Sequence, residues 1–299
     1  MAPITDDENT EPRFTDAHVH FWDHGQPELR WLFLEPGFEH PRLKGTQRLD
    51  APRYTPAELR SEAGTNAPTK VVHIQCAAPT ADPFVESAWL DGLAAEQGWP
   101  NAIVAGCRIR EEGAASAIEA NAASPRFRGV RDLSVQGAVE PAEVALAFDA
   151  ASDHAASVEL MVPVEHYDSI ASLAARWPAV TIVLGHAGQP LERSSEYLAR
   201  WSSALARLAD AAANVVVKVS AIASSADPGW STETIRPWVL AAIEAFGPNR
   251  SMLATNWPID RLYGSYHGLV DAYRTIVAEL PPADRDDVLH GTADRVYRI

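Results

Sequence analysis

Two histidines in the segment TDAHVH could act together on one ligand. His18 and His20 are two residues apart, and alternation along a strand places both side chains on the same face, roughly 7 Å apart. Imidazole nitrogens bind zinc or polarise a carbonyl group, so the pair predicts a metal or catalytic site. The alternative is that the two histidines have no catalytic or metal-binding role and face solvent or the core.

A third histidine, His186, follows the apolar run TIVL within the segment TIVLGHAGQP. His186 lies between glycines, which allow a tight turn and let a ligand approach the backbone closely. The alternative role for His186 is to cap its strand by hydrogen bonding. Asn256 follows the apolar segment SMLAT near the end of the chain. Each of these side chains is predicted at the carboxyl end of a strand.

The elements that must position these residues alternate about eight times between short apolar runs and longer Ala-rich stretches. Several strands are apolar on both faces, as in a parallel sheet covered by helices. The predicted strands are Phe14–His20, Lys70–Ala77, Ala102–Arg108, Phe127–Leu133, Val158–Val162, Val180–Leu184, Val215–Val219 and Ser251–Thr255, and the predicted helices include Phe84–Gln97, Pro141–Asp153, Tyr167–Trp177, Leu191–Ala213 and Glu233–Phe246.

Eight strand–helix repeats in 299 residues predict an α/β fold, a single (β/α)8 TIM barrel whose mouth gathers the carboxyl ends of the strands. An open doubly wound sheet is the alternative, and it usually has a Gly-rich turn after the first strand. Here His20-Phe21-Trp22-Asp23 follows instead. We expect one domain over residues 1–299, with residues 1–12 disordered.

Residues 21–69 interrupt this alternation with a long aromatic-rich loop after strand one. Loops at the mouth of a barrel carry function, so we interpret the segment as a lid or a substrate wall, with Trp22 as a substrate contact. The alternative is a separate packing cluster.

Composition limits the partners. Lys+Arg 25 against Asp+Glu 40 gives a net charge of −15, which disfavours nucleic acid and anionic membranes and leaves a small-molecule substrate.

No apolar run is long enough to span a membrane, and the acidic N-terminus lacks the apolar core of a signal peptide. Cys76 and Cys107 lie in apolar runs and are expected to be reduced thiols, so we expect a cytoplasmic protein. The oligomeric state stays open, a homo-oligomer included.

Six motifs in this order resemble amidohydrolase family 2, the metal-dependent TIM-barrel hydrolases that include sugar lactonases and pyrone dicarboxylate lactonase. The resemblance spans nearly the whole chain. The motifs are Asp16–Asp23, Gly129-Val130-Arg131, Gly185–Pro190, Lys218-Val219-Ser220, Asn256-Trp257-Pro258 and Ala293–Arg298.

The resemblance implies a hydrolase in which His18, His20 and His186 bind a divalent metal or polarise the substrate carbonyl directly. It also implies that Arg131 binds a substrate carboxylate, a rim salt bridge being the alternative. His73 is a further substrate-binding candidate, with a structural role as its alternative. Lys218 matches a lysine that is a carboxylated metal bridge in the wider superfamily and looks structural in this group.

One position departs from the family pattern. Where these hydrolases usually have an aspartate that ligates the metal and takes a proton from water, this chain has Asn256, and an amide has no useful basicity. Another carboxylate could be the base, Asp260 first and then Glu159 or Asp23. Otherwise the site is metal-free, or hydrolysis has been lost.

We therefore predict hydrolysis of a small lactone or related carboxyl derivative, with His18, His20, His186, Asn256 and Asp260 as catalytic residues. A divalent metal, zinc by the chemistry of imidazole, is the expected cofactor, and a metal-free site is the alternative. The alternative functions are a metal-dependent non-oxidative decarboxylase and a ligand-binding barrel without catalysis.

Overall fold

The eight apolar segments form one parallel sheet in a computed structural model, which describes residues 13–38, 45–49, 51–190, 192–223 and 229–299. Neighbouring strands of this sheet follow one another in the chain. Several strands end earlier than predicted. The strands are β1 (Thr15–Val19), β4 (Lys70–Ile74), β5 (Ala102–Gly106), β6 (Phe127–Arg131), β7 (Ser157–Leu160), β8 (Ile182–Leu184), β9 (Val215–Val219) and β10 (Ser251–Leu253).

The first and last strands of this sheet meet and bring it close to a full circle. Val19 forms a parallel bridge with Trp257, and the backbone N–H of His20 donates to the Trp257 carbonyl oxygen over 2.8 Å. With helices around the outside, this arrangement confirms the predicted (β/α)8 barrel.

Two apolar clusters hold the barrel together. Small side chains such as Ala17, Val104 and Val216 fill its interior, together with Tyr297 from the last helix. A larger cluster packs the outer faces of the strands against the helices. Burial of both faces explains why the strands read as continuous apolar runs rather than as alternating ones.

Five predicted helices are present with small shifts at their ends. Among the described residues, no helix is long and apolar enough to cross a membrane. The helices are α1 (Pro56–Ala63), α2 (Val85–Gln97), α3 (Ala114–Asn121), α4 (Ala145–Asp153), α5 (Tyr167–Arg176), α6 (Ser195–Ala211), α7 (Thr232–Phe246), α8 (Tyr266–Val277), α9 (Pro282–Asp286) and α10 (Thr292–Tyr297).

The long loop after strand one contains regular structure that the sequence analysis did not predict. Its strands β2 (Trp22–Asp23) and β3 (Arg53–Tyr54) pair as an antiparallel ribbon, and α1 follows. Thr55 begins α1 with a capping box to Glu58, in which each side chain accepts from the other residue's backbone N–H. The prediction that residues 1–12 are disordered lies outside the described residues.

A buried carboxylate ties the two closing strands together. Asp16 accepts hydrogen bonds from the Thr255 N–H at 3.0 Å, the Thr255 hydroxyl at 2.6 Å and the Tyr266 hydroxyl at 3.1 Å. Burial raises the pKa of Asp16 to about 6, so the carboxylate is ionised at pH 8.

We expect Asp16→Asn to lower the free energy of unfolding by about 1–3 kcal/mol at pH 8, because the amide turns one acceptor oxygen into a donor that faces other donors. Urea unfolding of the two proteins measures the change. Tyr266→Phe removes a single donor and should cost less. Equal stability of Asp16→Asn and the unmodified chain would contradict this role in barrel closure.

Candidate active site

The two strand-one histidines converge as predicted. Their Nε2 atoms lie 3.2 Å apart, and their side chains are buried, with 0% and 4% exposure for His18 and His20. The Nδ1 of His20 lies 2.8 Å from the Ile74 carbonyl oxygen, and a carbonyl can only accept. His20 therefore carries its proton on Nδ1 and directs a lone pair from Nε2 toward His18.

His186 reaches the same place through an unusual turn. His186 and Ala187 have φ of +52° and +49°, a left-handed conformation that residues other than glycine rarely adopt. Gly188 follows with φ +69°, and an added Cβ there would collide with the Tyr167 hydroxyl. That hydroxyl and the Trp201 indole N–H both donate to the Ala187 carbonyl oxygen, at 3.2 and 3.0 Å. Strain held by such contacts is typical of functional sites.

The turn places the His186 ring against His18, with 4.6 Å between ring centroids. The Nδ1 of His186 is 2.7 Å from the Ser220 Oγ at the end of β9. This bond fixes the ring, so the three histidines form one group at the carboxyl ends of β1 and β8. We call His18, His20 and His186 the histidine cluster.

Burial keeps the cluster neutral. It lowers the pKa of His18 and His20 well below the ordinary value, and the pKa of His186 to about 3. The Arg131 guanidinium is a further cause for all three, and its side chain is itself buried with 8% exposure. Neutral imidazoles keep the lone pairs that a metal or a substrate hydroxyl needs.

The donor set of the cluster fits a metal ion. Two imidazole nitrogens bound to one tetrahedral zinc ion at the usual bond length lie about 3.3–3.4 Å apart, and the two Nε2 atoms are 3.2 Å apart here. Neutral nitrogen ligands are the kind that zinc accepts readily. The spacing of the two strand-one histidines therefore fits a divalent metal, and His186, whose ring centroid lies 4.6 Å from that of His18, is the adjoining candidate for a third ligand.

Asn256 and Asp260 form a pair just after β10, next to Trp257, whose carbonyl oxygen accepts the backbone N–H of His20. Asn256 follows β10 with φ +57°, a conformation that asparagine tolerates better than most residues. Its Nδ2 donates to the Asp260 Oδ1 over 2.7 Å, and both side chains are buried. The amide nitrogen of Asn256 is therefore engaged by Asp260. The atom that Asn256 can offer to a ligand is its amide oxygen, which is a hydrogen-bond acceptor.

A buried ion pair in the barrel interior was not predicted. Lys218 on β9 donates to the Glu159 Oε2 on β7 over 2.8 Å, with side-chain exposures of 0% and 2%. The other carboxylate oxygen lies 3.6 Å from the His18 Nδ1. Strand alternation in the sequence indicates that each residue faces inward but not that the two meet.

His73 lies on the opposite face of its strand from the barrel interior. Its neighbours Val72 and Ile74 belong to the interior cluster, and its Nε2 lies 3.4 Å from the Glu86 Oε1 on α2. The Nδ1 accepts the backbone N–H of Phe21 at 3.3 Å. With both nitrogens engaged, His73 has no free nitrogen for a substrate.

The same contacts weigh against a metal at His73, Cys76 and Glu86, although one donor atom from each lies within 4.8 Å of the others. The Glu86 Oε1 already accepts the backbone N–H groups of Cys76 and Ala77. A metal there would have to displace a proton from His73 and break this arrangement.

Two further predicted residues lie in the loop after strand one. The Trp22 side chain is fully buried between Phe33 and Tyr54, and its indole N–H donates to the Ala51 carbonyl oxygen over 3.0 Å. It supports the loop and offers a ligand no exposed surface. Asp23 accepts the Gly25 N–H and lines a surface groove of about 380 Å³ beside Trp89, which none of the three clustered histidines lines.

The chain is similar to known proteins over nearly its whole length. An uncharacterised protein of Sinorhizobium fredii is 28% identical over 296 residues, 95% of this chain and 98% of its own. An L-fucono-1,5-lactonase of Burkholderia ambifaria is 27% identical over 294 residues, 95% of each chain. A zinc-bound amidohydrolase structure from Burkholderia multivorans superimposes with a TM-score of 0.79 at 26% identity, covering 96% of this chain and 99% of that one.

The family profile described as amidohydrolase matches residues 15–299, nearly the whole chain. That match spans β1 with its two histidines, the turn at His186 and the segment after β10. The resemblance predicted from the sequence motifs is thus confirmed, and the protein belongs to the amidohydrolase family of hydrolases.

Proposed function

We propose that the protein hydrolyses a small lactone at the histidine cluster, with a sugar 1,5-lactone as the first substrate class to test. The observation that carries the proposal is the convergence of three neutral histidines with the buried Arg131 guanidinium at one end of the barrel. Relatives named L-fucono-1,5-lactonase support the choice of substrate class.

In this reaction water adds to the lactone carbonyl and the ring C–O bond breaks. One proton of the water ends on the released hydroxyl, and the other is released when the new carboxyl group ionises. Negative charge develops on the carbonyl oxygen, and the buried Arg131 guanidinium carries a positive charge that acts on all three histidines. We assign Arg131 to the stabilisation of that charge or to binding a substrate carboxylate.

His18, His20 and His186 would hold a divalent metal, zinc being the ion that their nitrogens suit best. A bound metal would supply Lewis-acid polarisation of the carbonyl. The side chains also work without one, because a neutral imidazole accepts a hydrogen bond or a proton from water or substrate.

Asn256 cannot take a proton from water, and we assign it to orienting one. Its amide donates to Asp260 at 2.7 Å, so its Oδ1 is left to accept a hydrogen bond from water. Asp260 then acts through Asn256, as a positioning residue. Among the other base candidates, Glu159 lies against His18, whereas Asp23 lies at the surface groove.

The experiment is an assay of the full chain, with and without added zinc, against sugar 1,5-lactones and against carboxylated aromatic acids. We expect acid release from a lactone and at least a hundredfold loss of kcat/KM in His20→Ala, since that variant removes one of the converging nitrogens. His154→Ala, at an exposed histidine, is the matched control and should keep full activity.

Two other outcomes would overturn the proposal. Release of carbon dioxide from an aromatic acid, lost in His20→Ala, would indicate a decarboxylase. Saturable binding of a lactone without turnover would indicate a ligand-binding barrel. Lactone hydrolysis that is unchanged in His20→Ala would place the reaction elsewhere on the protein.

A further inference from the structure

We propose that Glu159 is a positioning residue that holds the proton of His18 on Nδ1, and that Lys218 holds Glu159 in place for this task. This inference deepens the proposed function and rests on it only in taking the histidine cluster as the site. The inference concerns which ring nitrogen of His18 carries the proton and which one keeps a lone pair for a metal or a substrate.

The position of the carboxylate is built by three neighbouring strands. Glu159 extends from β7 and Lys218 from β9, and β8 runs between them. Gly185, directly after β8, leaves the necessary room, since an added Cβ there would lie 3.0 Å from the Glu159 Oε1. Lys218 is fixed on its other side by the Tyr297 ring, whose centroid is 5.2 Å from Nζ.

Stability alone does not explain a charged pair in this interior. A buried ion pair loses so much hydration that apolar residues of similar volume are often equally stable or more so. The Glu159 Oε2 is taken by Lys218, and the Oε1 is the atom that faces His18. The side chain is therefore arranged so that one oxygen is anchored and the other is presented to the cluster.

His18 has two possible neutral forms. Its Nδ1 has no hydrogen-bond partner among the described residues, and the Glu159 Oε1 lies 3.6 Å away. A lone pair on Nδ1 would face a negative oxygen, whereas an N–H there is attracted to it. The carboxylate thus favours the form with the proton on Nδ1.

That form leaves a lone pair on Nε2. The His20 Nε2, 3.2 Å away, also presents a lone pair because the Ile74 carbonyl holds the His20 proton on Nδ1. In the other form His18 would donate from Nε2 to His20, and the two nitrogens would satisfy each other. Glu159 therefore decides whether the pair is open to a metal ion or an incoming proton, or is closed by its own hydrogen bond.

Glu159→Gln tests this directly. The Lys218 ammonium can only donate, so it holds the amide oxygen of the new side chain and turns the amide NH₂ toward the His18 Nδ1. A donor at that point reverses the preference and moves the proton of His18 to Nε2. The substitution keeps the shape of the side chain.

The measurement is a long-range ¹H–¹⁵N correlation spectrum of the metal-free full chain labelled at histidine, with the His18 signals assigned from a His18→Asn variant. We expect Nδ1–H in the unmodified chain and Nε2–H in Glu159→Gln, with a zinc dissociation constant roughly 10–100-fold higher in the variant. Glu86→Gln, the same change at the carboxylate that faces His73, should leave the His18 pattern unchanged.

The unmodified chain already tests the proposal, because Nε2–H on His18 there would overturn it. An unchanged His18 pattern in Glu159→Gln would overturn it as well. If Glu159→Gln does not fold, the double variant Glu159→Leu with Lys218→Met removes the carboxylate together with its partner, and Nε2–H is expected on His18. None of these readings needs substrate or turnover, so a failure of lactone hydrolysis stays distinguishable from a failure of this inference.

Discussion

Replacing Lys218 with methionine is expected to lower the free energy of unfolding by about 3–5 kcal/mol at pH 8. Methionine fills nearly the same space, so the loss comes from the Glu159 carboxylate, which stays buried at 2% exposure without the ammonium that was 2.8 Å away. Removing one partner of a buried pair leaves an uncompensated charge, which is far more costly than removing both. Urea unfolding of metal-free protein measures the effect.

Two controls separate charge from packing. Lys218→Met combined with Glu159→Leu should recover most of the lost stability, because no buried charge remains. Arg30→Met breaks an ion pair to Glu35 whose side chains are 68% and 36% exposed, and it should change stability by less than about 1 kcal/mol. If the single and double variants at the buried pair were equally unstable, packing around Lys218 would be the cause instead.

The barrel and the histidine cluster were predictable because both follow from local rules. Buried strands produce apolar runs, and alternation within one strand places His18 and His20 on one side. The two glycines of the Gly-His-Ala-Gly segment predicted a tight turn, and Gly188 has φ +69° there, a conformation that glycine favours. Such signals need no knowledge of distant parts of the chain.

The ion pair could not be predicted because it depends on contacts between distant strands. Glu159 and Lys218 are 59 residues apart, and they meet across β8 only because the barrel curves and Gly185 has no side chain. Alternation gives the face of each residue. It does not give the partner on that face, so from the sequence alone Glu159 is a base candidate and Lys218 is a structural lysine.

Trp22 and His73 show a second limit. Trp22 was expected to contact substrate because an aromatic-rich loop follows β1, but the ribbon formed with Arg53–Tyr54 turns its ring into the loop's own core. His73 was expected near the substrate because it lies in a barrel strand. Its ring instead faces Glu86 on α2, since the interior positions of that strand belong to Val72 and Ile74.

The departure from the family pattern at position 256 leads to the second large effect. We expect Asn256→Asp to lose roughly 3–5 kcal/mol of folding free energy at pH 8.5, because its new carboxylate would lie where an amide now donates to Asp260 over 2.7 Å. Two carboxylates at that distance cannot both be ionised. The folded variant therefore retains a shared proton that the unfolded chain releases, so its stability falls as pH rises. Unfolding at pH 5.5 and 8.5 measures that slope.

Exchanging the two side chains tests whether charge is the reason. Asn256→Asp together with Asp260→Asn restores one amide and one carboxylate in contact, and it should return stability close to that of the unmodified chain at both pH values. An exchanged variant as unstable as the single one would show that backbone geometry at position 256, with φ +57°, sets the cost instead. A stable exchanged variant also puts a carboxylate at position 256, where the resembling hydrolases usually have an aspartate, and we expect its zinc affinity to exceed that of the unmodified chain because the carboxylate adds charge complementary to a dication.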